Sequence, residues 1–195
     1  MIAAEFAFSV ELARDDAFGQ AIFSRLPFAE PARNYPEGSG WREPQMRAVV
    51  EVGGTPEHPE RARRVVLMNV HVLPPVDLSQ IIEQRGQVEK IARICEREIA
   101  ATGALVVAGD FNAAPGTAHI RAMERAGLAP ALNVAAGRAS TWPRTSWLRA
   151  LPGVRLDHIL VGPAVGVEGA GVCGDIGSDH APVWAVLRIA PGGIP

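Results

Sequence analysis

A chain of 195 residues with 48% hydrophobic and 21% charged residues has the composition of one globular domain with a substantial core. Its net charge of −2 excludes the general basic field of a non-specific nucleic-acid binder. It shows no basic-plus-apolar leader and no apolar run of about 18 residues, and Cys95 and Cys173 lie in no C-x-x-C or Cys/His cluster that would hold zinc.

The expectation is therefore a soluble, cytoplasmic chain with no signal peptide, no membrane-spanning helix and two small buried cysteines. Residues 20–24 read as a short strand, closed by Arg25-Leu26-Pro27. Residues 27–45, rich in Pro, Gly and charge, read as a surface loop; its Tyr35 and Trp41 leave substrate contact as the lesser alternative. Strands over 46–52 and 64–72, joined by Gly53-Gly54-Thr55-Pro56, form a hairpin. Arg61, Arg63 and Arg64 beside that turn read as its solvated tip.

Residues 76–101 carry the clearest helical pattern. Leu78, Ile81, Ile82, Val88, Ile91, Ala92, Cys95 and Ile99 follow the i, i+3, i+4, i+7 rule, with Asp77 at the start and Gly103 just past the end. The apolar run Ala104-Leu105-Val106-Val107-Ala108 is a buried strand leading into Gly109-Asp110-Phe111-Asn112. A short helix over 117–126 is closed by Gly127, and 130–152 is irregular. Strands over 154–161, 165–173 and 181–189 complete the domain, 1–190, and a frayed tail follows at 191–195. Strands outnumber helices and do not alternate with them regularly, so two mainly antiparallel sheets packed face to face, with helices outside, are expected.

Four strand ends or loops carry polar groups that a core does not need: Asn69-Val70-His71, Asp110-Phe111-Asn112, Asp157-His158-Ile159 and Ser178-Asp179-His180. Strand alternation sends Asp110 and Asn112 to the same side. An aspartate can bind a hard cation or take a proton, and an asparagine can donate to an oxyanion without adding charge. His71 and His180 titrate near neutral pH, and Asp157 can orient an imidazole. Together these are the parts of metal-assisted hydrolysis. His158 faces away from Asp157 along the strand and reads as structural, as do His58 in a turn and His119 on a helix.

These four segments, in this order, resemble the motifs of the endonuclease/exonuclease/phosphatase superfamily, the DNase I-like fold. Gly19-Gln20-Ala21-Ile22-Phe23-Ser24-Arg25, the strand from Pro44 to Val50, and Ser140-Thr141-Trp142-Pro143 are softer echoes. The resemblance covers about residues 17–189. It implies an α+β fold, a four-layer α/β/β/α sandwich, and hydrolysis of phosphate esters with Mg²⁺ or Mn²⁺. By motif, Asp179 would be a metal ligand and His180, held by Asp157, would contact the phosphate or activate water. Asp110 would orient or deprotonate that water, Asn112 would hydrogen-bond phosphate or water, and His71 would stabilise developing charge. The implied substrates are nucleic acids, nucleotides, phospholipid headgroups and sugar phosphates; the oligomeric state is open.

The family's opening strand–helix–strand, whose second strand ends in a Gln-Glu metal ligand, has no counterpart before Gly19. Glu5 and Glu11 follow neither an aliphatic strand nor a Gln, and Phe6 to Glu11 looks like what comes after that glutamate. The expectation is an N-terminally incomplete domain with a weakened metal site and an exposed sheet edge. Two functions stay open: a phosphodiesterase, nuclease or phosphatase, impaired by that loss, or an inactive relic of the fold acting as a binding module. A binuclear metallophosphoesterase is excluded, because its Asp-x-His and Gly-Asn-His-Asp/Glu motifs are absent.

Overall fold

A computed structural model describes residues 5–35, 45–55, 57–132, 139–143 and 153–190. Trp41, the Tyr35 side chain, most of the irregular 130–152 stretch and the 191–195 tail lie outside the described residues.

Alternating apolar residues build the centre of the main sheet. Strands β4 (Gln45–Val52) and β5 (Arg63–His71) pair antiparallel, Met46 opposite Asn69 and Val52 opposite Arg63. The chain then returns through α1 (Leu78–Thr102) to β6 (Leu105–Asp110), which runs parallel to β5. That pair is the parallel member of a mainly antiparallel sheet, and its cause is α1 itself: a parallel pair needs a long crossover, which 25 helical residues supply. The Asp77 side chain accepts from the Gln80 amide at 2.8 Å, and Gly103 ends the helix in a left-handed conformation, φ 66°. Beyond β6, strand β8 (Asp157–Val161) pairs antiparallel, with β7 (Ala129–Pro130) outside it; β3 (Arg33–Tyr35) flanks β4 at the other edge.

Strand alternation divides the core. Val66, Met68, Val70, Leu105, Val107 and Leu160 face α1 and α2 (Ala118–Arg125), burying Val88, Ile91, Cys95, Ile120 and Met123. Val65, Leu67, Val106, Ala108, Ile159 and Val161 face the opposite way, toward the hairpin of β9 (Val165–Val172) and β10 (Val183–Ile189). A second hairpin, β1 (Phe8–Leu12) with β2 (Gln20–Ser24), lies on that same face beside β4 and β5. The α+β class and the packing of sheet on sheet are as expected, but among the described residues both α-helices lie on one side. The second layer is two separate hairpins rather than one sheet. On this face an apolar cavity of about 360 Å³ lies against β2, lined by Ala21, Ile22, Leu67, Val106 and Ala108.

The apolar stripe of α1 is corrected at its start. Leu78, Ile81 and Ile82 are exposed, and the buried stripe begins at Gln84 and continues through Gln87, Val88 and Ile91. Gln84 already bonds to backbone beyond the ends of β5 and β6, so the turns before it project past the sheet. Of the basic cluster, Arg64 pairs with Glu30 and Arg63 donates to the Glu60 and Ala62 carbonyls. Cys95 is fully buried, and burial pushes its thiol up to about 12. No described helix is long and apolar enough to cross a membrane.

Candidate active site

Three polar strand ends fall in one row. His71 is the register partner of Asp110, and Asp110 is the register partner of Asp157, across β5, β6 and β8. Adjacent strands lie about 4.8 Å apart, so the sheet alone brings these side chains together. All three project toward the hairpin face, and His158 points to the helix side. There its Nε2 meets the Ala113 carbonyl at 2.8 Å and its ring packs edge-on against Phe111. The connection between β9 and β10 then supplies His180, whose Nδ1 lies 2.8 Å from Asp157 Oδ2. Asp110, Asp157 and His180 offer ligand atoms within 4.8 Å of one another, and His71 Nε2 lies 3.8 Å from Asp110 Oδ2.

Asp179 does not join that group. It is exposed, although its negative charge acts on both Asp110 and His180. Asn112 reaches Asp110 by a route other than strand alternation. The strand has ended, and Asn112 adopts a positive φ of 46°, which asparagine tolerates. Its amide N–H donates to Asp110 Oδ1 at 2.7 Å, closing an Asx turn, while its Nδ2 donates to the Val72 carbonyl at 2.8 Å and to Asp110 Oδ2 at 3.3 Å. Its donors are spent on the Val72 carbonyl and on orienting the carboxylate. His58 is on the surface with Glu60, and His119 lies on α2.

Buried amides and one hydroxyl brace the row, and none was legible as a functional residue. Gln45 accepts from the His71 amide at 2.8 Å and donates to the His71 carbonyl at 3.2 Å, so its side chain continues the β4 ladder. Gln84 donates to the carbonyls of Leu73 and Asn112, and Gln87 accepts from the Leu73 amide, tying both loops to α1. Two glutamines three residues apart inside an apolar stripe were the available signal. Thr141, noted only for its motif position, accepts from the Leu156 and Asp157 amides, and its carbonyl accepts from Ala181. The Phe18 ring packs on His71 with centroids 4.7 Å apart.

Burial, reinforced by the neighbouring Asp157 and Asp179 charges and opposed by the Asn112 amide and His180, pushes the Asp110 carboxyl up to about 6. Burial lowers His71, which favours its neutral form. The hydrogen bond to Asp157 raises His180 above the ordinary imidazole value despite partial burial. The row thus holds a carboxylate poised near neutrality, a neutral imidazole and an imidazole biased toward its charged form. Two half-buried carboxylates side by side also suit a divalent cation, which prefers oxygen ligands.

Residues 5–180 match the family model described as the endonuclease/exonuclease/phosphatase family. Among solved structures, the chain is similar to the 3′ phosphatase NExo from Neisseria, at 22% identity over 93% of this chain and 79% of that one, with a TM-score of 0.74. A mannosyl-6-phosphatase from Bacteroides thetaiotaomicron is similar at 18% identity, over 93% of this chain and 77% of that one, with a TM-score of 0.65. A search of curated proteins finds no match. With the two-sheet fold and its polar row in place, the match over most of its length shows that this chain belongs to the endonuclease/exonuclease/phosphatase family, whose fold is the DNase I-like one.

Proposed function

We propose that this chain is a hydrolase of phosphate esters dependent on Mg²⁺ or Mn²⁺. The observation that carries the reading is the single row His71–Asp110–Asp157 closed by His180. Asp110 and Asp157 offer carboxylate oxygens to a divalent cation, and Asp179 adds negative charge beside them. Such a cation polarises the phosphoryl oxygens and neutralises charge on them.

The chain's own residues supply the rest. Asp110, fixed by Asn112, orients the attacking water and takes its proton once the carboxylate is ionised. His180, held by Asp157 and biased toward the imidazolium, donates to a phosphoryl oxygen as charge develops. His71, neutral and fixed by Gln45, adds a second donor. The named activities of similar proteins, on a DNA hairpin and on a mannosyl phosphate, support a phosphate-ester substrate.

Metal removal tests the reading. Hydrolysis of bis-p-nitrophenyl phosphate is expected with Mn²⁺ or Mg²⁺ and is expected to vanish in EDTA, returning when the ion is restored. Turnover that ignores EDTA, or that persists in a His180→Ala control, contradicts it.

Asp157→Asn tests the dyad separately. In metal-free protein, loss of the carboxylate is expected to lower the NMR titration midpoint of His180 toward or below the ordinary imidazole value. Because the folded pKa is raised, the pair stabilises the fold below the unfolded imidazole pKa, and this contribution is lost as pH rises through the folded one. The stability gap between wild type and the variant should therefore narrow above neutrality. An unmoved His180 midpoint would remove Asp157 from this role.

A further inference from the structure

Phe18, the ring that packs on His71, borders a cavity of about 450 Å³ that the proposed chemistry does not use. Its walls are Phe18, Leu73, Pro74 and Val76. Phe18 is the residue it shares with the surroundings of His71, so a single ring links the cavity to the row of site residues. Arg14 and Asp16 also line it, but they bind each other, Nε to Oδ1 at 2.8 Å, so their charges cancel and the cavity presents no net charge to an anion.

Two features point to an occupant. Val76 at the lip is 71% exposed, and Leu78 and Ile82 on the projecting turns of α1 are 73% and 66% exposed, an apolar surface that folding leaves uncovered. Among the described residues Gln80 contributes the one uncharged polar side chain of the lining, and its Oε1 is withdrawn from solvent with no hydrogen-bond partner there. An unpaired buried acceptor is costly, and a ligand N–H brought to it relieves that cost. Apolar walls suit neither a bare sugar nor a second phosphate. An aromatic face and an unmet acceptor suit a flat heterocycle carrying N–H donors, and base-on-aromatic stacking tolerates any base.

We propose that this cavity receives the base of a nucleotide, laid against Phe18 with its N–H groups toward Gln80, while the phosphate lies at Asp110 and His180. The substrate class is then a nucleotidyl phosphate ester rather than a sugar phosphate or a phospholipid. This rests on the phosphoesterase reading for the position of the phosphate.

Calorimetric titration of the Mn²⁺-loaded protein with AMP and with ribose 5-phosphate, which differ by the base alone, tests it. AMP is expected to bind about tenfold more tightly. In Val76→Asp and in Gln80→Leu that advantage is expected to fall to about one. Equal binding of the two ligands, no binding of AMP, an advantage untouched by both substitutions, or octyl phosphate binding as tightly as AMP each overturns the proposal. Hydrolysis of bis-p-nitrophenyl phosphate reads the other proposal separately: a protein that hydrolyses it but prefers AMP no more than ribose 5-phosphate keeps the function and loses this site.

Discussion

Asp110→Asn is expected to lower hydrolysis about 10³-fold, the range for loss of a positioned base. Asparagine keeps the shape and an oxygen that accepts from the Asn112 amide, so the Asx turn survives and the loss falls on the chemistry. The same change should stabilise the metal-free protein at pH 7. A carboxyl raised to about 6 binds its proton more tightly folded than unfolded, so wild-type stability falls as pH climbs from about 4 to about 6. Above that window the buried carboxylate is a net cost, and removing its charge should recover about 2 kcal/mol, allowing for its small residual exposure. At pH 4, where Asp110 is protonated in both states, the gain should vanish. Urea titrations at pH 4 and pH 7 measure one half of the expectation and initial rates the other. A variant within tenfold of wild-type activity, or one less stable at pH 7, refutes the role of Asp110.

Gly109→Ala should be among the most disruptive single-methyl changes in the chain. Gly109 has a φ of 143°, and a Cβ there would stand 1.9 Å from the Val70 carbonyl oxygen and 2.9 Å from its carbon. Those atoms are backbone of the neighbouring strand and cannot turn aside as a side-chain tip would. The substitution must force β5 and β6 apart where they present His71 and Asp110. A loss of about 4 kcal/mol or more is expected, in the range that only core disruption reaches. Gly116→Ala is the control. Its φ is also positive, 77°, but nothing lies within 4 Å of the added carbon, so only the conformational cost of about 1 kcal/mol remains. Urea midpoints distinguish the two, and equal losses would mean that the close strand approach does not matter.

What was readable in the chain followed from local rules. The β4–β5 hairpin comes from alternation broken by Gly53-Gly54, and α1 from its stripe between Asp77 and Gly103. The polar strand ends stood out because nothing apolar explained them. What was not readable depends on neighbours distant in sequence. Leu78, Ile81 and Ile82 fit the helical stripe, but periodicity does not say where the sheet ends beneath a helix. Asp157, expected only to orient His180, falls in the three-donor group, whereas Asp179, expected to ligate, stays outside it. That difference arises from the turn between β9 and β10, which no motif spacing describes. Gln45 and Thr141 carry no local mark of their bracing, because each acts on backbone far along the chain.

The row across β5, β6 and β8 also makes turnover a proofreader of folding. If either ladder closed one residue out of step, two of His71, Asp110 and Asp157 would still adjoin but the third would point into the helix layer. Such a chain would keep its strands and much of its collapse and have no catalyst. During refolding, recovered circular dichroism counts chains that have made strands, and recovered turnover counts those that have aligned them. The interval between the two signals measures how long misaligned copies take to correct themselves.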